Sequence, residues 1–340
     1  MRITLVAGAI GAIALTAGCG GAASQNAAPT MPGLSSAAAQ GYAPVGRLPA
    51  VVAPFAATRR ALAPHPMLRG GGWLSPAASR CKNKLFVSTF RLNYVSIYCE
   101  RGHNQAPIGQ ITDGIDGPEG EITDANENLY VANADGVAEY APGTIDPSFT
   151  YSTGLGAPTD VAVDSKGNVY VSNVSPSGSV VVFPQGSNTP SLTITGVYYP
   201  IGVALDAGNN LYVTYETSGF LEGQINEYAP GTTTGTNLGI TIGFAGMITI
   251  DSSGDIVTTD QKADDVAVYP PGATQPSATF GNSLDPVAIA LSHDERSVYV
   301  GDSIASAVYV YHYPSGKRMD TISDGVDQAV GVALSKPAPL

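Results

Sequence analysis

The chain has 340 residues, 44% of them apolar and only 13% charged, which is enough apolar content for a sizeable core and too much for a wholly disordered protein. A formal net charge of -12 argues against nucleic acid or an anionic lipid surface as the main partner, because neither gains from meeting a field of its own sign. Its 40 glycines and 25 prolines predict many turns.

At the N-terminus, Arg2 is followed by an apolar run from Ile3 to Leu15 and by the small residues Ala17 and Gly18 before Cys19. The run is too short to span a membrane, so residues 1–18 read as an export signal. The sequence Leu15-Thr16-Ala17-Gly18-Cys19 resembles the lipobox of bacterial lipoproteins, with Thr16 where that pattern has leucine and Leu15 one place further back. The resemblance implies acylation of Cys19 and an exported, membrane-anchored protein facing the periplasm or cell surface; stable anchoring takes more than one acyl chain. Residues 19–80 are rich in Ala, Pro, Ser and Gly and keep no helix or strand period. They read as a tether, with Trp73 as a packed contact rather than a ligand platform.

The other two cysteines, Cys81 and Cys99, flank a candidate hairpin of Leu85 to Thr89 and Tyr94 to Tyr98. Antiparallel pairing about Arg91 puts them nearly opposite, and an oxidising compartment favours a disulfide there.

From Leu85 onward a unit recurs. The middle of its second apolar run is Phe86, Tyr130, Tyr170, Tyr212, Val257 and Tyr299, and the end of its third is Tyr98, Tyr140, Phe183, Tyr228, Tyr269 and Tyr311; both series step by 40 to 45 residues. A turn follows each first run at Asp124, Asp164, Asp206 and Asp251, and in divergent form at Ser292. Such residues cap a tight reversal with their side chains. Weaker fourth strands are expected at Ile108 to Ile111, Ser148 to Tyr151, Ser191 to Ile194, near Ile240, Ser277 to Phe280 and Met319 to Ile322. Runs such as Val180 to Phe183 and Val308 to Tyr311 are apolar on both faces, as stacked radial sheets require. The first unit lacks an innermost strand, and Gly331 to Ser335 supplies one after the sixth. Residues 81–340 are therefore expected to be all-β: a six-bladed propeller of four-stranded blades, closed by the C-terminal strand joining the first blade.

Pro200, Gly202, Val203 and Asp206 with Asn210 to Val213, and Asn168 to Asn173 with Val180 to Phe183, resemble the NHL-type propeller repeat. The resemblance covers roughly residues 83–335. Its implied fold is the propeller just derived, and propellers of this kind serve as binding platforms and as enzymes.

If the first run is innermost, the loops after second strands share a face with the connections between blades. These loops vary most, being longest from Tyr215 to Gln224, and variability beside a regular opposite face puts the ligand here. The aromatic side chains Tyr151, Tyr198, Tyr199, Tyr215 and Phe220, with Glu216 and Glu222, form the expected binding set for a carbohydrate or a cationic peptide. Asp116, Glu119, Asp160, Asp285 and Asp327 are expected around them.

Some six-bladed propellers that this chain resembles are lactonases with one divalent cation in the channel. That resemblance puts Asn133, Asn173, Asp260 and Asp302, each just after a second strand, forward as oxygen ligands suited to calcium or magnesium. The same residues, read locally, cap strand ends. No nucleophile motif is present, and the histidines His65, His103, His293 and His312 are scattered. The leading expectation is thus a non-catalytic, monomeric platform for a protein, peptide or glycan of the cell envelope, without a cofactor. Its alternatives are a cation-dependent, lactonase-like hydrolase and a purely structural envelope component.

Overall fold

The computed structural model describes residues 71–335 apart from 101–103, 176, 219 and 221. The export signal, Cys19, His65, His103 and most of the tether lie outside the described residues. What is described forms a six-bladed, all-β propeller of antiparallel sheets. Blades 2 to 6 each follow the chain from an inner to an outer strand, starting at Glu121–Thr123, Pro158–Val163, Pro200–Leu205, Ala245–Ile250 and Pro286–Leu291.

Blade 1 is closed by the two ends of the described chain. Ala329–Leu334 pairs with Lys84–Thr89 in the register Val87 to Val332. The Thr123 hydroxyl donates to Leu334 O at 2.6 Å, and Ser335 Oγ accepts from Lys84 N at 2.8 Å. Blade 1 thereby gains its innermost strand from the C-terminal side of the described chain. At the outer edge, Trp73–Leu74 adds a fifth strand against Gly109–Ile111, and the indole N–H of Trp73 donates to Gln110. Cys81 and Cys99 are disulfide-bonded, with their Cα atoms 5.5 Å apart.

Strands are apolar on both faces because each blade has a neighbour on either side. Thus Val203 packs among blade 3 residues, whereas the next residue, Ala204, packs with Ile225 and Ile248 toward blade 5. Hydroxyls near the end of second strands clasp the next blade's inner strand. Ser172 Oγ donates to Ile201 O at 2.9 Å, Thr214 Oγ1 to Gly246 O at 2.7 Å and Thr259 Oγ1 to Val287 O at 3.0 Å. Near the axis the strands approach so closely that a Cβ on Gly331 would collide with the Glu119 carbonyl and with Ser88.

The Asp turns work as their sequence implies. Asp164 Oδ1 accepts from Lys166 N and Asn168 N, and Oδ2 from the Asn168 amide. Asp124 and Asp206 repeat the pattern. In blade 5, Val257 replaces the recurring tyrosine, and Tyr313 of blade 6 donates its hydroxyl to Asp251 instead. These turns line one face of the propeller, and the loops after second strands line the other.

Candidate functional site

On the variable face, four of the residues singled out above have one job in four blades. Asn173 Oδ1 accepts from Gly156 N and Ala157 N at 2.8 and 3.0 Å, tying down the connection that enters its own blade. Asn133 does this for Asp116 N, Asp260 for Gly243 N and Phe244 N, and Asp302 for Leu284 N and Asp285 N. Asp302 also accepts Ile304 N and Ala305 N with its other oxygen, and Asp260 Oδ1 accepts Lys262 N and Ala263 N along with Phe244 N. Among the described residues no three His, Cys, Asp or Glu side chains gather as for a metal ion.

Blade 4 breaks the pattern. Tyr215 occupies the capping position, and its hydroxyl lies 2.9 Å from Gln224 Oε1 and 3.2 Å from Asn226 Oδ1. The next residue, Glu216, is fully buried and accepts from Ala245 N of blade 5 at 2.8 Å. Its Oε2 has no hydrogen-bond partner. Burial pushes this carboxyl up to about 7, with Asp260 adding to the rise and Ala245 N–H and Lys262 opposing it.

With the cap gone, the connection from blade 3 and the long loop of blade 4 are held by backbone bonds such as Glu216 N to Tyr199 O and Thr217 N to Glu222 O, and by aromatic packing. The rings of Tyr198 and Tyr199 meet edge to face at 4.8 Å, and Phe220 lies 4.7 Å from Tyr199 and 5.8 Å from Tyr198. Phe220 stacks at 6.4 Å and 4° on the buried Phe244. Tyr198, Tyr199 and Phe220 remain half-buried. Tyr199 and Phe220 have φ of 43° and 53°, a region costing a bulky residue about 1–3 kcal/mol. Strain at two neighbouring rings of one exposed patch marks this as the candidate site.

No protein-family model and no curated protein matches the sequence. Solved structures match the fold. A structure described as a nidogen/laminin complex aligns with 76% of this chain and 100% of its own, at TM-score 0.63 and 15% identity. A Bacteroides caccae protein of unknown function aligns at TM-score 0.59 and 9% identity, over 75% of this chain and 99% of its own. A functionally unknown protein from Desulfotomaculum acetoxidans aligns at 0.55 and 15%, over 75% and 99%. Identities this low speak for the fold alone.

Of the expected binding set, the structure brings Tyr198, Tyr199 and Phe220 together, with Glu222 on the same loop. Tyr215 and Glu216 sit beneath them. Tyr151 is a correction: it is fully buried, packed on Phe149 and Phe183, and its hydroxyl donates to Glu139 and accepts from Gly186 N. It ends a fourth strand with its side chain turned into the seam with blade 3. Asp327 pairs with Arg91 at 3.6 Å. Phe244 was not foreseen, since it lies in a short connection whose only signal is Gly243 before it.

The channel is a second polar feature. A cavity of about 280 Å³ runs along the inner strands to the regular face, where His293 and Glu295 flank its mouth. Glu121 and Asp160 face it among the aliphatic and polar residues of its wall. Glu121 stands where other blades carry Val161, Val203, Ile248, Ile289 and Val332. It accepts from Ser88 N at 3.0 Å, and burial raises its carboxyl to about 8. Asp160 accepts from Val203 N and Val161 N. Burial raises both Asp160 and its neighbour Glu119, whose proximity to Asp160 adds to its own rise.

Proposed function

We propose that this chain is a non-catalytic, extracytoplasmic binding platform, an NHL-like propeller carried on a lipid anchor at Cys19 that offers its variable-loop face to a protein, peptide or glycan of the cell envelope. The observation that carries this reading is the half-exposed patch of Tyr198, Tyr199 and Phe220, held in strained backbone where blade 4 gives up the cap found in blades 2, 3, 5 and 6. Strain of this kind persists only where packing enforces it, and it concentrates at ligand clamps. A nidogen/laminin complex contains the same architecture, a precedent for a propeller within a protein assembly.

A photo-crosslinking amino acid at the exposed Ser218, in the loop beside Phe220, tests the face in intact cells. A discrete adduct is expected from Ser218 and not from the exposed Lys166 on the regular face. Adducts from Lys166 alone would overturn the assignment. Labelled palmitate should enter the wild-type chain and not the Cys19→Ala variant.

A further inference from the structure

Beside the aromatic patch runs a strip of neutral hydrogen-bonding groups. Gln224, Asn226 and Tyr228 alternate along one strand and so project on one side of blade 4. They are flanked by Tyr215 on the second strand and Asn237 on the fourth, in the registers Tyr215 to Gln224 and Asn226 to Asn237. The Asn237 amide donates to Tyr215 Oη at 3.0 Å, Gln224 Oε1 at 2.9 Å and Asn226 Oδ1 at 3.3 Å. Asn226 donates to Tyr228 Oη at 3.2 Å, and Gln224 to Glu222 Oε1 at 3.3 Å. That last bond joins the strip to the loop carrying Phe220.

The strip departs from the repeat. Where blade 4 has Asn226, blades 2, 3 and 5 carry the buried residues Ala138, Val181 and Ala267. An amide in such a place costs desolvation that an apolar residue avoids. Tyr215, Gln224 and Asn226 are half-buried and Asn237 is exposed, while Tyr228 is buried at the foot of the strip. None is cationic, and Glu216, the nearest carboxylate beneath, is sealed off from solvent.

We infer that this face recognises a neutral oligosaccharide, whose sugar rings stack on Tyr198, Tyr199 and Phe220 while their hydroxyls bond to Gln224, Asn226 and Asn237. The inference rests on the binding-platform reading and names its ligand class. A sugar hydroxyl both donates and accepts, as does a side-chain amide; the Gln224 and Asn226 nitrogens each use one of their two donors in the network, and Asn237, whose donors are engaged, offers its carbonyl oxygen. The C–H face of a pyranose matches an aromatic face in size and polarity. The network fixes the amides before a ligand arrives, which lowers the ordering cost of binding. A cationic peptide is the weaker match because Glu216 is sealed off from solvent and the half-buried Glu222 is the carboxylate bonded to a strip of otherwise neutral groups.

The test is isothermal titration of the full chain with cellotetraose, chitotetraose and maltotetraose, with a tetragalacturonate arm for charged sugar. At least one neutral tetrasaccharide is expected to bind. Tyr198→Ala and Asn237→Ala should each weaken it by about 5-fold or more. Asn226→Val, which restores the repeat's apolar pattern, should abolish binding while leaving the thermal midpoint unchanged or higher. Failure of all three neutral sugars, or binding that these variants leave intact, would overturn the inference. If they fail while Ser218 still gives a polypeptide adduct, the ligand class is wrong and the face is right. If Ser218 also gives nothing, both readings fall.

Discussion

Three carboxyls near the axis, with Glu216 and Asp265 farther out, are raised by burial and bear on how the fold responds to pH. Glu121 is raised to about 8, and Glu119 and Asp160 are raised by burial and, for Glu119, by the other's charge. A carboxyl raised on folding binds a proton that the unfolded chain has already released, so its stabilising share is complete at low pH and is lost as pH climbs through the folded value. Resistance to urea should therefore fall between about pH 5 and pH 9. Glu121→Gln, which keeps an acceptor for Ser88 N, should raise the midpoint at the alkaline end and flatten the profile. A profile that rises with pH, or is unchanged by the substitution, would show that these carboxyls are hydrated in solution. Glu121 was visible in the sequence only as an acid where the other blades have Val or Ile, a departure that stands out once the six inner strands are aligned.

At the scale of strands and turns, the short apolar runs and Asp turns located the blades, because burial on both faces leaves an unbroken apolar signature. The fourth strand of blade 4 was blurred for a physical reason. Thr236–Ile242 is an outer strand with Asn237, Gly239 and Thr241 exposed, so half its pattern is polar. Trp73–Leu74 escaped notice as a strand because two residues carry no period. The disulfide between Cys81 and Cys99 closes a loop of sequence separation 18 and fastens the start of blade 1, where the closing strand docks. A double Cys→Ala variant should lose about 2–4 kcal/mol, read as a lower urea midpoint with unchanged slope. A smaller slope would instead point to separate unfolding of blade 1.

For the molecule as a whole, ring closure makes six near-equivalent blades share the load, and departures from equivalence then mark what the repeat alone does not explain. Blade 4 concentrates them: the lost cap at Tyr215, the strained Tyr199 and Phe220, and the amides at Gln224 and Asn226. Sequence reading found the loop and its aromatics through length and composition. It grouped Tyr198, Tyr199 and Phe220 on one face, but not Phe244, which comes from a separate connection and stacks on Phe220. It also put Tyr151 on the wrong side of its strand, because a tyrosine at a strand end can turn toward solvent or into a seam. Hydroxyl-radical footprinting of the full chain, in intact cells and after purification, compares the two faces without assuming a ligand. The account predicts that Tyr198, Tyr199 and Phe220 are protected in cells relative to the purified chain, while the exposed His293 on the regular face is oxidised equally in both. Protection of His293 with the aromatic patch unchanged would place the binding surface on the opposite face.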